Sequence, residues 1–466
     1  MNRSSYLFLL VSLALFFSIN ISAKELSLQD LIANSKKHYP ALLNLLSDKK
    51  MVEEKINEAI GSFDSQIDIS ASQRLDGYYD GDDVELKVSK PLQFLNSKIY
   101  SSYRKSDGKF PTYNNDLRTL EDGEIKAGVS FSLWRDSFID SKRLKVRNSI
   151  LENKKIVAVN FFQEQLIISE LSKAYWDWIT KGKIYYVHKE LLGFAIARNK
   201  NLKKRIKAGD LSKIYEIENL QYIVKRRGIF LNSLKNYLKS SLNLSLFYRG
   251  NDGTPLKIED SNFPKNIDFS PVSLDLAKDL KSVSVSHPKI IELETELNQL
   301  NNDETFRKNS LNPSLDIDLS MSQDYGDSVD SFDRTIEEQE AKALISMNIP
   351  LERNLVRSQL AQVKIKKRLL NRKTQLAQDS ITAKVKSLYV DIENLEKIIE
   401  QSILEIKYAD LLVKAEIKKF NKGSSDFFLI NIREQYLADA KITKWSKINE
   451  FYSQLASYRA ITRTIK

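Results

Sequence analysis

The 466-residue chain has no cysteine, only nine prolines and only 14 glycines. Without cysteine there is no disulfide framework, no thiolate metal site, no cysteine nucleophile and no lipid-modified N-terminal cysteine. So few helix breakers, with 42% apolar and 29% charged residues, point to a folded, helix-rich chain and away from disorder. At roughly 150 residues per domain the length suggests about three domains, a prior that elongated proteins escape. Long apolar runs are scarce as well. The one present follows Arg3, runs from Tyr6 to Ile21 and ends in Ile21-Ser22-Ala23, with small residues where a signal peptidase cuts. Residues 1–23 are therefore expected to be a removed export signal, the alternative being a retained anchor. No later stretch reaches the roughly 18 uninterrupted apolar residues of a spanning helix. The exported chain is then either soluble outside the cytoplasm or inserted as β-strands.

Chemistry-bearing motifs are also missing. His38, His188 and His287 lie far apart and none has metal-binding spacing. His38 and His287 occupy equivalent helix starts, where capping or packing is the expected role. There is no phosphate-cradling glycine loop and no serine elbow. No catalytic, cofactor-binding or metal residue is assigned. Lys and Arg exceed Asp and Glu by 72 to 61, and loss of Arg3 takes the formal charge from +11 to +10. The basic residues are interleaved with acidic ones along helical segments, which fits solvated faces and no nucleic-acid partner. Glu337, Glu338 and Glu340 read as an external loop facing water. Tyr175, Trp176, Trp178, Tyr185 and Tyr186 are expected to pack in a core or between subunits, contact with hydrophobic cargo or an adaptor being the lesser possibility.

What the chain does contain is an internal duplication. His38-Tyr39-Pro40 recurs as His287-Pro288, and each is followed by a helical stretch and then an alternating segment. Ile67 to Ser72 matches Ile317 to Ser322 at an offset of 250, and Val129 to Leu133 matches Ile345 to Ile349 at an offset of 216. The first half thus carries about 34 extra residues between its paired segments. The repeats are read as 24–271 and 272–466.

The alternating segments place Ile67, Ile69 and Ala71 opposite Asp68, Ser70 and Ser72, and Ile125 to Leu133 follow the same period of two. In the second half Leu315, Ile317, Leu319 and Met321 oppose Asp316, Asp318, Ser320 and Ser322. About ten residues of such alternation match a tilted membrane strand, although a half-buried sheet under a helical layer has the same pattern. Four strands cannot close a barrel, which needs about eight. Membrane strands here therefore require an oligomer that shares one barrel. Asp68, Lys126, Asp316 and Asp318 would then line the lumen. The extra segment contains Val84 to Val88 and Ile99 to Tyr103, both capable of strand. They form either an external hairpin or two further strands, six per chain.

The rest reads as long helices. From Asp140 to Ala208 there is no proline and only Gly182 and Gly193; from Leu351 to Lys422 there is neither. Val385, Ile392, Ile399, Ile406, Val413 and Phe420 recur every seven residues, with Ile381, Leu388 and Leu395 between them, a coiled-coil seam. Each long helix ends at a turn, Lys207-Ala208-Gly209-Asp210-Leu211-Ser212 and Lys422-Gly423-Ser424-Ser425-Asp426. Gly209 and Gly423 suit the left-handed residue that stops a helix, and Ser212 or Asp210, and Ser424 to Asp426, can cap the next one. The first returning helix is expected to end near Leu242. A segment with Gly250, Gly253, Pro255, Pro264 and Pro271 follows, a lateral bulge, before helix resumes near Ser273.

In this order the pieces resemble the TolC-like outer-membrane efflux proteins: Lys55-Ile56-Asn57-Glu58-Ala59 leading into the first strand, two proline-marked helix starts, strands followed by long helices in both halves, and two glycine-bearing tips. The resemblance implies a homotrimer in the outer membrane of a Gram-negative bacterium, with most of its mass in the periplasm. Twelve strands, four per protomer, would form one barrel, and the helical hairpins a periplasmic tunnel. It further implies an exit duct for small-molecule efflux or type I protein secretion, docked to a periplasmic adaptor protein and an inner-membrane transporter. The tip residues Lys207, Gly209, Asp210, Ser212, Lys422, Gly423, Ser424 and Asp426 would face the adaptor. Members of the family often carry acidic residues six places after the tip glycine, where this chain has Tyr215 and Leu429. Tyr215, Glu216 and Leu429 are thus candidates for the tunnel entrance, without a charged constriction. The competing readings are a soluble periplasmic coiled-coil scaffold or adaptor, and a hydrolase, for which no constellation is present.

Overall fold

The computed structural model describes residues 25–76, 80–108, 110, 118–327 and 339–462. The expected export signal, and Glu337 and Glu338 of the acidic cluster, lie outside them. Eight α-helices are described: α1 Leu28–His38, α2 Pro40–Ile60, α3 Ser141–Lys207, α4 Ile214–Ser245, α5 Leu276–Ser286, α6 Pro288–Asn309, α7 Asn354–Asn421 and α8 Phe427–Thr462. The strands are β1 Gln66–Gln73, β2 Gly81–Pro91, β3 Lys98–Gly108, β4 Gly123–Ser132, β5 Ser314–Tyr325 and β6 Glu340–Asn348. At 1.5 Å per residue, α3 and α7 are each about 100 Å long. No described helix is long and apolar enough to cross a membrane.

All six strands form one antiparallel sheet in sequence order. This overturns the external-hairpin reading of the extra segment. Val84 to Val88 lies in β2 and Ile99 to Tyr103 in β3, and both strands pair along their length. The physical reason is that the insertion keeps the period of two in register with its neighbours, so both of its strands extend the two faces already present.

The chain divides into two compact units. One holds the sheet, residues 46–161 and 284–381. Within it α6 is started by His287, whose Nδ1 accepts from the Lys289 backbone N–H at 3.1 Å, with Pro288 at the first helical position. The expected capping role holds there. His38 differs, because it sits in the last turn of α1 and not at a helix start. Gln299 and Asn302 on α6 donate to Asn148 on α3, and Lys367 on α7 donates to Glu304 on α6 at 2.6 Å. Lys308 and Lys367 together hold the Glu304 carboxyl down at about 2.

The other unit contains residues 162–283 and 382–466 with the segment before Leu46. Its core gathers Leu31, Leu171, Tyr175, Trp178, Ile179, Tyr185, Tyr237, Leu244 and Phe263. The aromatic concentration on α3 therefore packs, as its default reading expects, with Trp178 fully buried and its indole Nε1 donating to Ser241 Oγ at 3.0 Å. Trp176 stacks on Tyr452 at 3.6 Å. The glycine- and proline-bearing segment after α4 lies against these helices, since Phe263 meets Trp178 at 5.1 Å and Tyr237 at 5.8 Å. The heptad seam of α7 is buried at Val385, Leu388, Ile392, Leu395, Ile399 and Val413.

Candidate functional site

Both hairpin tips close by the same backbone chemistry. Gly209 has φ +80° and Gly423 φ +75°. In the first tip the Gly209 N–H donates to Ile206 O at 3.1 Å and the Asp210 N–H to Arg205 O at 2.9 Å. In the second the Gly423 N–H donates to Phe420 O at 3.1 Å and the Ser424 N–H to Lys419 O at 3.0 Å. These paired bonds satisfy carbonyls the last helical turn leaves open, and they require a left-handed residue at the glycine. Asp426 then caps α8 by accepting from the Phe428 N–H at 3.3 Å, while Ser212 stands 3.5 Å from the Ile214 N–H before α4.

The tips lie side by side in one unit, with the Arg205 guanidinium 5.4 Å from the Phe420 ring. Lys207 ends α3, and it and Asp210, Ser212, Lys422 and Ser424 are exposed in the two turns. Tyr215 is half-buried, Glu216 pairs with Lys203 at 3.4 Å across the first tip, and Leu429 is exposed next to Phe428. No atom lies within 4 Å of a Cβ built on either tip glycine, so backbone conformation alone opposes a side chain there. Gly209→Val and Gly423→Val are each expected to cost about 1–2 kcal/mol or more. Gly228→Ala, equally uncrowded but inside α4, should leave stability unchanged or raise it by about 0.4–1 kcal/mol. Thermal unfolding of the three variants separates the cases.

Close behind the tips lies a buried ionic cluster that sequence reasoning missed. Arg198 on α3 donates to Asn431 Oδ1 at 2.8 Å and also to Glu434, both on α8. Arg226 on α4 donates to Glu434 Oε2 at 3.1 Å and to the Leu191 carbonyl at 2.9 Å. Arg226 and Glu434 are each 4% exposed. Burial pushes the Arg226 guanidinium below its ordinary range and Glu434 pulls it back. One carboxylate thus ties both arms of the first hairpin to the returning helix of the second. The signal was spacing: Asn219, Arg226, Ser233 and Ser240 recur every seven residues on the buried face of α4, interleaved with Ile223, Tyr237 and Leu244.

The sheet is inside out. In-register pairing sets Asp68, Lys87, Ser102, Lys126, Ser322 and Glu340 in one row across all six strands. On this same polar face Tyr100 Oη donates to Asp318 at 2.7 Å, Ser132 Oγ to Asp316 at 2.7 Å, and Arg104 pairs with Glu124 at 2.7 Å. The four polar-face residues predicted from alternation therefore do share one face. Ser102, Glu124, Ser320 and Ser322 on it are buried. The opposite face aligns Ile69, Leu86, Tyr103 and Ile125, and separately Ile99, Val129 and Leu319. It is the exposed one on the inner strands, Val84, Ile99 and Ile125 standing 49%, 51% and 47% exposed. A water-facing sheet would invert this arrangement.

No protein-family model matches the chain, and no curated protein matches it. Solved structures do. The VceC outer membrane protein of Vibrio cholerae superposes with a TM-score of 0.65 at 11% identity, over 93% of this chain and 95% of that one. The open state of the Neisseria gonorrhoeae MtrE outer membrane channel gives 0.65 at 13% identity over 94% and 89% of the chains. The Campylobacter jejuni CmeC outer membrane channel gives 0.64 at 10% identity over 93% and 85%. At such identities a likeness of this extent establishes architecture, and the chain has the fold of the TolC-like outer-membrane efflux channels.

Proposed function

We propose that the chain is a subunit of an outer-membrane channel, a homotrimer that serves as the exit duct for small-molecule efflux or type I protein secretion. Its tips would dock to a periplasmic adaptor, and an inner-membrane transporter would supply the energy. The observation that carries this reading is a sheet whose inner strands expose their apolar face and bury residues of their polar face. A lipid environment reverses the usual cost of such exposure, and a water-filled lumen accommodates the charged rows.

The two sheet edges support sharing. β1 and β6 are exposed along their whole lengths and, among the described residues, unpaired on one side. They also run in opposite directions, because six antiparallel strands alternate. β6 of one copy and β1 of the next can therefore continue the ladder head to tail, and such an interface closes into a ring. With six strands per chain, three copies would supply about eighteen strands, a number at which barrels enclose an aqueous channel. The repeats 24–271 and 272–466 would each give this assembly one helical hairpin. Opening would follow from movement of α4 and α8 against the long helices, and the buried Glu434 cluster is placed to resist it.

The test is fractionation followed by electron microscopy of detergent-extracted particles. Recovery in the outer membrane as a threefold ring-closed particle is expected; recovery in the soluble fraction as a monomer would sink the channel and favour the scaffold. Ile345→Arg, on the exposed apolar face, should oppose assembly by about 2–4 kcal/mol near the bilayer midplane. Lys126→Gln, on the polar face, should leave assembly intact and shift ion selectivity in planar-bilayer recordings.

A further inference from the structure

One edge of the sheet carries side chains that the channel reading leaves unused. The β2–β3 turn, the segment after β4 and the segment after β6 meet there, fastened by the Ser132 N–H to Leu95 O at 3.0 Å and the Leu133 N–H to Leu315 O at 2.8 Å. These turns hold large apolar side chains out from the protein, Phe94 at 73%, Phe138 at 80% and Leu351 at 82% exposed, with Trp134 also exposed. Every non-glycine residue with left-handed backbone among the described residues, Leu95, Asn96, Asp136 and Arg353, lies in the same turns.

Around these side chains the charge is positive. Arg135, Lys142, Arg147, Arg353 and Arg357 lie in or just after these turns, the last two at the start of α7. Of the carboxylates near these turns, Asp136 pairs with Arg135, Asp140 pairs with Arg143 and caps the start of α3, and Asp64 and Glu352 are exposed, so the cations outnumber the open carboxylates. Neither α3 nor α7 has an acidic residue in its first turn. At the opposite edge of the sheet the sign reverses, with Asp80, Asp82, Asp107, Asp122, Asp327 and Glu340.

We propose that this basic, aromatic edge seats in the headgroup layer of a leaflet containing anionic phospholipid, and that it binds those lipids in preference to zwitterionic ones. Aromatic rings at headgroup level with cations beside them match that layer chemically, apolar below and negative at the surface. The acidic far edge would repel the same lipids, so the charge gradient also gives the sheet a sidedness. This inference rests on the membrane reading of the sheet.

Native mass spectrometry of the detergent-extracted full chain, titrated with phosphatidylglycerol or phosphatidylcholine, tests it. Preferential retention of phosphatidylglycerol is expected, weakening as ionic strength rises. The Arg147→Gln, Arg357→Gln double variant should lose about fivefold of that preference for each cation removed. A control pair far from this edge, Lys397→Gln with Lys414→Gln, should keep it. Equal retention of the two lipids, or an unchanged preference in the arginine variant, overturns the proposal while leaving a membrane sheet intact. Recovery of the protein without detergent and without either lipid would overturn the membrane reading itself.

Discussion

Glu434→Leu is expected to destabilise the tip-bearing unit by about 3–5 kcal/mol. The carboxylate is 4% exposed and accepts from both Arg198 and Arg226. Deleting it leaves two guanidinium groups close together without a counter-charge, one of them as buried as Glu434 itself. The loss arises from those stranded charges more than from the bonds removed. Converting the cluster to apolar residues, Glu434→Leu with Arg198→Met and Arg226→Met, should therefore recover most of the stability or exceed the parent by about 1–4 kcal/mol. Denaturant midpoints of the parent, single and triple variants decide the matter; a single variant as stable as the parent would mean that the cluster is hydrated and weak. Under the channel reading the two variants also separate stability from gating. The triple variant should be stable yet keep no ionic tie between the hairpins, so leakier tips in bilayer recordings would assign the cluster a latch role.

Trp178→Ala comes next, with an expected loss of about 3–5 kcal/mol. The indole is fully buried, bonded to Ser241 and packed edge-on to Phe263. Its removal opens a cavity beneath the segment that follows α4 and takes away the donor to Ser241 Oγ, which keeps its own bond to the Tyr237 carbonyl. Trp178→Phe should cost less, because it retains ring packing while losing one hydrogen bond of about 0.5–1.5 kcal/mol. Gly182 marks the same spot from the other side, since a Cβ there would stand 2.2 Å from the Phe263 ring. Limited proteolysis between Arg249 and Pro271 reports on this packing directly: faster cleavage in Trp178→Ala with unchanged cleavage at the tips is the expected pattern.

Much of the architecture follows from local rules that act within a few turns of chain. The seven-residue repeat of α7 needs no partner to be read, because a seam of that period must be buried somewhere. Gly209 and Gly423 stop their helices because a left-handed residue is required and glycine alone meets it without strain. Strand alternation likewise separated Asp68, Lys126, Asp316 and Asp318 from their apolar neighbours before any pairing was known. Resemblance then supplied the order of the parts as one fold, which the superposition with solved channels bears out.

Three matters were decided only by tertiary structure. Period two divides a strand into two faces but does not say which is exposed; it took the sheet to show the apolar side facing outward and Glu124 and Ser322 buried. Membership of β2 and β3 in that sheet depended on long-range register, since a hairpin of the same sequence could stand apart from it. The Arg198, Arg226, Asn431 and Glu434 cluster joins residues more than 200 positions apart. Each of its charged members, taken alone, reads as part of a solvated helical face. Their burial becomes affordable only when opposite charges from three helices meet, and such a meeting is a property of packing that no single helix encodes.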